Sequence, residues 1–187
     1  MGKVVIITGP SGAGKNTIAD RMLDVFPSLQ YSVSATTRQA RVGEEEGRDY
    51  YFVSVESFKQ KIERNEFIEW EEVYTDKYYG TLKSEVLRIW DNNCSVLFVV
   101  DVVGAQDLKN HFKEKALSVF VMPPSLETLK LRILGRGSEP SDSLEERLRR
   151  AKVEMKLAHH FDVILINDQL EEAYKTTESI LKDFLVK

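Results

Sequence analysis

A glycine-rich segment that ends in a lysine is the part of this sequence best suited to chemistry. Residues 9–15 read Gly-Pro-Ser-Gly-Ala-Gly-Lys and directly follow an apolar run at 4–7. Glycines let the backbone turn until several N–H groups point at one anion, and a helix that begins there adds its positive N-terminal end. A lysine at this spacing reaches the outer phosphates of a nucleotide. The segment predicts a phosphate-binding loop with these residues: Gly9, Pro10, Ser11, Gly12, Ala13, Gly14, Lys15, Asn16 and Thr17.

The residue after the lysine departs from the usual form of such loops. Position 16 is Asn16, where a hydroxyl group that ligates Mg²⁺ is usual, and Thr17 comes next. The hydroxyl of the usual residue is a direct ligand of the metal ion. Whether this loop itself ligates a metal ion is therefore left open by the sequence.

Two groups of arginines add local positive charge to a chain whose net charge is −4. Arg38 and Arg41 follow a candidate strand at a spacing that lets both grip one phosphate, although two solvated surface arginines are the alternative. An acidic protein with local arginine groups and a phosphate-binding loop favours small phosphorylated ligands over nucleic acid. The second arginine group consists of Arg132, Arg136, Arg147, Arg149 and Arg150.

Short β-branched runs alternate with helical patterns along the chain. This alternation predicts an α/β fold in which strands buried on both faces form a parallel sheet covered by helices. Strands are predicted at 4–8, 96–100, 117–121 and 163–166, with 31–34 as a candidate fifth. Helices are predicted at 16–25, 55–64, 82–91, 105–112, 126–134, 144–157 and 170–185, with Ser125 and Asp142 as N-caps of two of them.

Two stretches interrupt the alternation. Residues 35–81 are polar and rich in tyrosine, which predicts a small mixed subdomain of short strands and one helix. The glycines and proline within 135–143 are typical of a mobile lid. The acidic run Glu44-Glu45-Glu46 is predicted to be a solvated loop with no further role.

Composition limits the class of protein further. Hydrophobic residues make up 42% of the chain, and no apolar run reaches the length needed to cross a bilayer, about 20 residues. The sequence enters a strand at once, so we expect no signal peptide. The single cysteine, Cys94, excludes an intramolecular disulfide and a multi-cysteine zinc site. We expect a cytoplasmic protein with no membrane or nucleic-acid partner.

Several further motifs follow the phosphate-binding loop in a fixed order. They are Ser-Val-Ser-Ala-Thr-Thr-Arg, Gly-Arg-Asp-Tyr-Tyr-Phe, Phe-Ile-Glu-Trp, Tyr-Tyr-Gly-Thr, Pro-Pro-Ser, Arg-Gly-Ser-Glu and Ile-Asn-Asp. In this order, from residue 4 to about 172, the motifs resemble those of guanylate kinases, which phosphorylate GMP with ATP. The resemblance implies a P-loop NTPase-type fold with a five-stranded core sheet (1–34, 82–131 and 158–187), a GMP-binding subdomain (about 35–81) and a helical lid (about 132–157).

The resemblance also implies how GMP would be bound. Glu69 would face the Watson–Crick edge of guanine, with Ser34 and Thr81 beside it. This role agrees with the chemistry of guanine, whose N1–H and N2–H donors match a two-lobed carboxylate acceptor, while Thr81 could donate to O6. Asp101 would lie near the GMP ribose or a hydrated Mg²⁺. The residues implied to bind the GMP phosphate are Arg38, Arg41, Tyr50 and Tyr79.

ATP would be bound by the loop and by the lid. Asn167 would approach adenine, and Arg149 and Arg150 are interpreted as solvated, in pairs with the acidic residues Glu139, Glu145 and Glu146. Mg²⁺ would be held mainly by nucleotide phosphates and water, with Asn16 and Asp101 nearby. The residues implied to act on the phosphates in catalysis are Lys15, Arg38, Arg132, Arg136 and Arg147.

The chain departs from the family pattern near the metal and ribose, and two alternatives remain open. An acidic residue is usual at Val99 and a glutamine is common at Val103. One alternative is a catalytically weak guanylate-kinase-like module that binds proteins, but the retained Lys15 argues against it. The other is a kinase with a different base preference, against which Glu69 and Thr81 argue. We expect ATP and GMP as substrates, with dGMP use open, and a monomer or homodimer.

Overall fold

A parallel sheet of five strands forms the centre of the protein. The computed structural model describes residues 2–135 and 144–186. In chain order the strands of this sheet are β1 (Val4–Thr8), β2 (Leu29–Tyr31), β7 (Ser95–Val99), β8 (Ala116–Met122) and β9 (Val163–Ile166). Their order across the sheet is β2-β7-β1-β8-β9, and every neighbouring pair is parallel.

A second, mixed sheet of four strands stands beside the first in the order β4-β3-β6-β5. Its members are β3 (Ser34–Thr36), β4 (Tyr50–Phe52), β5 (Phe67–Tyr74) and β6 (Lys77–Leu82). Strand β6 runs antiparallel to both of its neighbours, and β3 and β4 are parallel. The helix α2 (Val55–Glu63) packs Phe58 against Phe67 and Tyr78 of this sheet, so the sheet has a small core of its own.

Helices cover both faces of the first sheet. Helices α1 (Lys15–Val25) and α7 (Leu170–Val186) pack on one face, and α3 (Lys83–Asp91) and α4 (Val102–Phe112) pack on the other. Helices α5 (Leu126–Gly135) and α6 (Leu144–Lys156) contact each other through a separate apolar cluster. Short 3₁₀ turns at Lys113–Lys115 and Ala158–His160 precede β8 and β9. No helix of the described ranges is both long and apolar enough to cross a membrane.

The predicted fold class is confirmed, with differences at three elements. The fifth strand ends at Tyr31, because the chain leaves the first sheet after Ser32 and enters the second sheet at Ser34. Strand β9 is not buried on both faces: Ile164 and Ile166 are 48% and 62% exposed, because β9 is the outer strand of the sheet. Helix α4 begins three residues earlier than predicted, because Asp101 caps it.

The two cap predictions have different outcomes. Ser125 accepts a hydrogen bond from the amide of Thr128 at 3.0 Å, as an N-cap of α5 does. Asp142 lies outside the described residues. The boundaries proposed for the core, the GMP-binding subdomain and the lid stay a prediction.

The carboxyl ends of the parallel strands bring polar residues to one edge of the first sheet. The glycine-rich loop follows β1, Asp101 follows β7, and Asn167 follows β9. Open sheets of this kind bind ligands at that edge. The second sheet lies against the same edge, since β5 contacts α4 directly.

Candidate active site

One cavity of about 890 Å³ joins the phosphate-binding loop to the second sheet and to helix α6. Its wall on the loop side includes Gly9, Ser11, Lys15 and Asn16. The opposite wall comes from the second sheet and includes Ser34, Tyr50, Glu69, Glu71 and Tyr79. The remaining wall comes from Asp101 and from helix α6, including Arg147, Arg149 and Arg150.

The loop has the backbone form that a phosphate site needs. Gly14 has φ of +99°, which L-residues with side chains rarely adopt, and a Cβ there would lie 2.3 Å from Nδ2 of Asn167. Helix α1 begins directly after it at Lys15. The amide groups at this helix start have no intrahelical partners, so they are available to an anion.

Lys15 folds over its own loop. Its Nζ donates to Gly9 O at 2.7 Å and to Pro10 O at 3.2 Å, which holds the ammonium group at the mouth of the loop. Asn16 is exposed and Thr17 is half-buried. Of the two, Asn16 lines the cavity.

Glu69 and Thr81 lie opposite each other on β5 and β6. The Thr81 hydroxyl donates to Glu69 Oε1 at 2.6 Å, so in this structure it orients the carboxylate, and its predicted bond to guanine O6 stays a prediction. Burial raises the pKa of Glu69 to about 7, and the nearby Asp101 carboxylate acts in the same direction. Gly104 makes room for this carboxylate, because a Cβ there would lie 3.1 Å from Glu69 Oε2.

Arg38 and Tyr50 lie together at the other end of the second sheet. The Arg38 guanidinium lies 4.9 Å from the Tyr50 ring centre, and the ring of Tyr79 meets that of Tyr50 edge-on at 6.0 Å. Arg41 is exposed, but it lines the same cavity as both tyrosines. The structure thus brings the four predicted phosphate ligands to one region.

The acidic run is not the featureless solvated loop that the sequence suggested. Glu44 binds both amino groups of Arg38 at 2.6 Å and also accepts the amide N–H of Arg41 at 2.8 Å. The Arg38 hydrogen bonds lower the pKa of Glu44 to about 2, and this pair in turn raises the pKa of Arg38. Glu46 accepts the amide N–H of Phe52 at 2.8 Å. The prediction was wrong because a run of like charges in the sequence does not indicate which residues the folded loop brings next to it, here Arg38, Arg41 and Phe52.

Asp101 lies at the N-terminus of helix α4. Its Oδ1 accepts the amide N–H groups of Val103 and Gly104, both at 2.9 Å, so part of its role is to cap the helix. The carboxyl group of Glu71, on β5, adjoins that of Asp101. Sequence reasoning missed Glu71, although its spacing of two residues from Glu69 on a strand predicts the same face.

Helix α6 reaches across the cavity to the loop. Arg147 donates to Ser11 Oγ at 3.1 Å. Arg150 is exposed, with 46% of its side chain accessible, in agreement with its predicted solvation. It also lines the cavity near Asp101 and Glu71, and it bonds at 2.9 Å to Glu154, one turn further on, which was not among its predicted partners. Arg149 is 79% exposed at its side chain and lies 3.9 Å from Glu146, in agreement with its predicted solvation.

Two further residues join the end of β9 to the binding elements. Asn167 is buried, and its Nδ2 donates to Ala13 O in the loop at 2.8 Å. Arg132 donates to Asn167 O at 3.0 Å, so α5 is tied to the same point. The predicted approach of Asn167 to adenine stays a prediction. Arg136 lies outside the described residues.

The carboxylate of Glu85, on α3, connects the two sheets and was missed by the sequence analysis. It accepts the amide N–H of Val33 and the hydroxyl of Tyr51, both at 3.2 Å, and it binds Arg88 through two bonds. These bonds, with that to Arg88 first among them, hold the pKa of Glu85 below its ordinary value even though burial opposes them. Val33 directly precedes β3, so Glu85 helps to fix Ser34 at the cavity.

Replacing this carboxylate should lower stability. We expect Glu85→Ala to reduce the free energy of unfolding by about 1–3 kcal/mol, because the Val33 amide loses its buried partner. Urea denaturation at neutral pH measures the loss. The matched control is Glu178→Ala, which removes an exposed pair with Arg21 and should cost less than about 1 kcal/mol. Equal losses in the two variants would contradict the structural role of Glu85.

Comparisons with known proteins agree with this geometry. Residues 1–184 match the family model described as guanylate kinase. The chain is 45% identical over 188 residues to a guanylate kinase of Porphyromonas gingivalis, with 100% of both chains covered. It is 46% identical over 182 residues to a guanylate kinase of Salinibacter ruber, covering 97% of this chain and 96% of the other.

A solved structure resembles the fold as well. The crystal structure of a guanylate kinase from Anaplasma phagocytophilum matches with a TM-score of 0.80 at 32% identity, covering 100% of this chain and 87% of that one. The matches extend over the loop, the second sheet and the last strand alike, so they include every element that lines the cavity. With a phosphate-binding loop and a carboxylate-bearing second sheet facing one cavity, this chain belongs to the guanylate kinase family.

Proposed function

We propose that the chain transfers the γ-phosphoryl group of ATP to GMP, giving ADP and GDP, with Mg²⁺ as the metal ion. The observation that carries this proposal is the Glu69 carboxylate, oriented by Thr81, in the same cavity as the Lys15 loop. A base-reading acceptor and a phosphate-binding loop in one cavity support a reaction between two nucleotides. Family membership supports the same activity.

Base selection follows from hydrogen-bond polarity. Guanine presents N1–H and N2–H side by side, and an ionised Glu69 accepts both. Adenine presents an acceptor at N1, which would face the carboxylate with like polarity. A site built on such complementarity rejects the wrong base by about 10⁴-fold or more, because buried polar groups are left without partners.

The chemical step needs little covalent help from the protein. A phosphate oxygen of GMP attacks the γ-phosphorus of ATP, and the bond from that phosphorus to the β–γ bridging oxygen breaks, so ADP leaves with the electron pair. The GMP phosphate is largely ionised at neutral pH, so no general base is required. Positioning and charge stabilisation do most of the work in such transfers.

Named side chains take specific parts in this scheme. Arg38, Arg41, Tyr50 and Tyr79 hold the GMP phosphate, while Lys15 and the loop amides hold those of ATP. Arg147, on the lid helix α6, stabilises the transferring phosphoryl group. Its hydrogen bond to Ser11 of the loop supports this role. Arg132 lies at the same end of the cleft, and Arg136 keeps the lid role assigned to it from the sequence.

The donor set fits a metal ion that arrives with the nucleotide. Within the described residues no group of three or more His, Cys, Asp or Glu side chains could hold a metal ion. Mg²⁺ prefers to keep several waters and to bind substrate phosphates, which such a cavity permits. Asn16 and Asp101 both line the cavity and would accept hydrogen bonds from the ion's water shell. The ion neutralises charge on the phosphates when it is bound.

A coupled assay of ADP release tests the proposed function. With Mg-ATP fixed, GMP, AMP, CMP and UMP are supplied in turn, and we expect rapid turnover with GMP alone. Turnover with another base would contradict the role of Glu69. A folded protein that binds GMP but turns over none of the four would indicate the protein-binding module instead, although the retained Lys15 argues against that outcome.

A further inference from the structure

Glu71 is a carboxylate of the cavity to which the proposed reaction gives no task. It lies on β5 two residues after Glu69, and in the ladder with β6 it faces Tyr79, while Glu69 faces Thr81. Side chains two residues apart on a strand point to the same face, so Glu69 and Glu71 share the cavity wall. Their Cα atoms are separated by about 7 Å along the strand.

The carboxyl group of Glu71 adjoins that of Asp101 across the cleft. Burial, followed by this neighbour, raises the pKa of Glu71 to about 7, while Arg150 on α6 opposes the shift. Oε2 of Glu71 is buried and has no hydrogen-bond partner within residues 2–135 and 144–186. Glu71 lines the cavity, so the other oxygen of its carboxyl group can accept a hydrogen bond from a donor in the cavity.

The ladder position indicates which part of a nucleotide supplies that donor. Under the proposed function, the guanine edge lies at Glu69 and Thr81, and the phosphate lies near Tyr79 and Tyr50. The ribose connects base and phosphate, so it lies between these two ends. In the anti conformation of a guanine nucleotide, the 2′-hydroxyl is on the same side as the 2-amino group, from which Glu69 accepts a hydrogen bond. The next carboxylate along the strand therefore meets the sugar.

We propose that Glu71 is a specificity-determining residue that accepts a hydrogen bond from the 2′-hydroxyl of bound GMP and so favours GMP over dGMP. The proposal rests on the proposed function, because it takes the orientation of GMP from it. Asp101 adjoins the Glu71 carboxyl group, and its own Oδ1 is fixed by two amide groups of α4, so Asp101 limits where that carboxyl group can lie. Val99 and Val100 also line the cavity, and their side chains are apolar.

The test removes the proposed hydrogen bond in two ways: dGMP lacks the 2′-hydroxyl donor, and the Glu71 variants lack the carboxylate acceptor. We measure kcat/KM for GMP and dGMP at saturating Mg-ATP in the wild type, Glu71→Ala and Glu71→Gln. One hydrogen bond to a carboxylate corresponds to about a tenfold to hundredfold preference for GMP in the wild type. Glu71→Ala should bring the ratio close to one by lowering the value for GMP alone, and Glu71→Gln, which keeps an acceptor, should retain part of the preference.

The matched control is Glu72→Gln, an exposed carboxylate next along the same strand that does not line the cavity. It should keep the wild-type ratio. A wild type that turns over GMP without preferring it to dGMP overturns the proposal, and so does an equal loss for both nucleotides in Glu71→Ala. An unchanged ratio with a higher Mg²⁺ requirement overturns it in favour of a metal role. Absence of GMP turnover in the wild type would instead count against the proposed function itself.

Discussion

Glu69→Gln is expected to lower kcat/KM for GMP by about 10³-fold or more while leaving the KM for Mg-ATP within a few-fold. The glutamine keeps one acceptor oxygen but turns an N–H donor toward the donors of guanine. The Thr81 hydroxyl can still bond to the remaining carbonyl oxygen, so the strand pair is retained. Steady-state kinetics with each substrate varied in turn measures the effect on GMP separately from the effect on Mg-ATP. Equal losses for both substrates would contradict a role in reading the base.

The same variant should be more stable than the wild type at alkaline pH. Since burial raises the pKa of Glu69 from 4.5 to about 7, the folded state binds this proton more tightly than the unfolded chain. The ionised form therefore opposes folding, with an effect that grows between pH 4.5 and 7 and is complete above that range. We expect the free energy of unfolding of Glu69→Gln, measured with urea, to exceed that of the wild type by at most about 3 kcal/mol at pH 8 and by little at pH 4.5. An equal gain at both pH values would contradict the assignment.

Lys15→Ala should reduce kcat by about 10³-fold or more. Its ammonium group is the loop's fixed positive charge for phosphates, and removal of one such preorganised group from a phosphoryl-transfer site has effects of this order. The fold should persist, because the bonds that Lys15 makes to Gly9 and Pro10 lie within its own loop. Single-turnover and steady-state rates with saturating GMP measure the change.

The matched control for this variant is Lys182→Ala, which removes an exposed lysine from helix α7, on the far side of the sheet from the second sheet. It should keep the wild-type rate and the wild-type melting temperature. A rate for Lys15→Ala within tenfold of the wild type would count against the loop as the site of ATP phosphates. A large fall in its melting temperature would point to a structural role for the lysine.

Elements with a local cause were predictable from the sequence. The sequence predicted the first strand, the loop and the helix after it, and the structure contains all three. Each depends on residues within its own segment: the apolar run for the strand, and the glycines and the lysine for the loop. Glu69 and Thr81 were also predicted as neighbours, through the family resemblance and through the chemistry of guanine. The fifth strand was placed two residues too late, because where a strand ends depends on which sheet the chain joins next.

Charged partners distant in sequence were not predictable. The contacts of Glu71 with Asp101, and of Glu85 with Val33, join segments that only the packing of the second sheet brings together. Arg150 is exposed as predicted, but the sequence did not indicate that its helix lies across the cavity. A pattern of residue types indicates the face of an element on which a side chain lies. It does not indicate which residues of another element contact that side chain.

Arg38 and Glu44 give the cleft an internal counter-ion. Both amino groups of the arginine are already satisfied by a carboxylate that stays ionised at any physiological pH. A phosphate at this guanidinium would compete with Glu44 for the two amino groups, so part of its binding energy would offset the lost pair. Without a phosphate the arginine keeps a charged partner, and because Glu44 also accepts the amide N–H of Arg41, any displacement of Glu44 would act on the loop that carries Arg41.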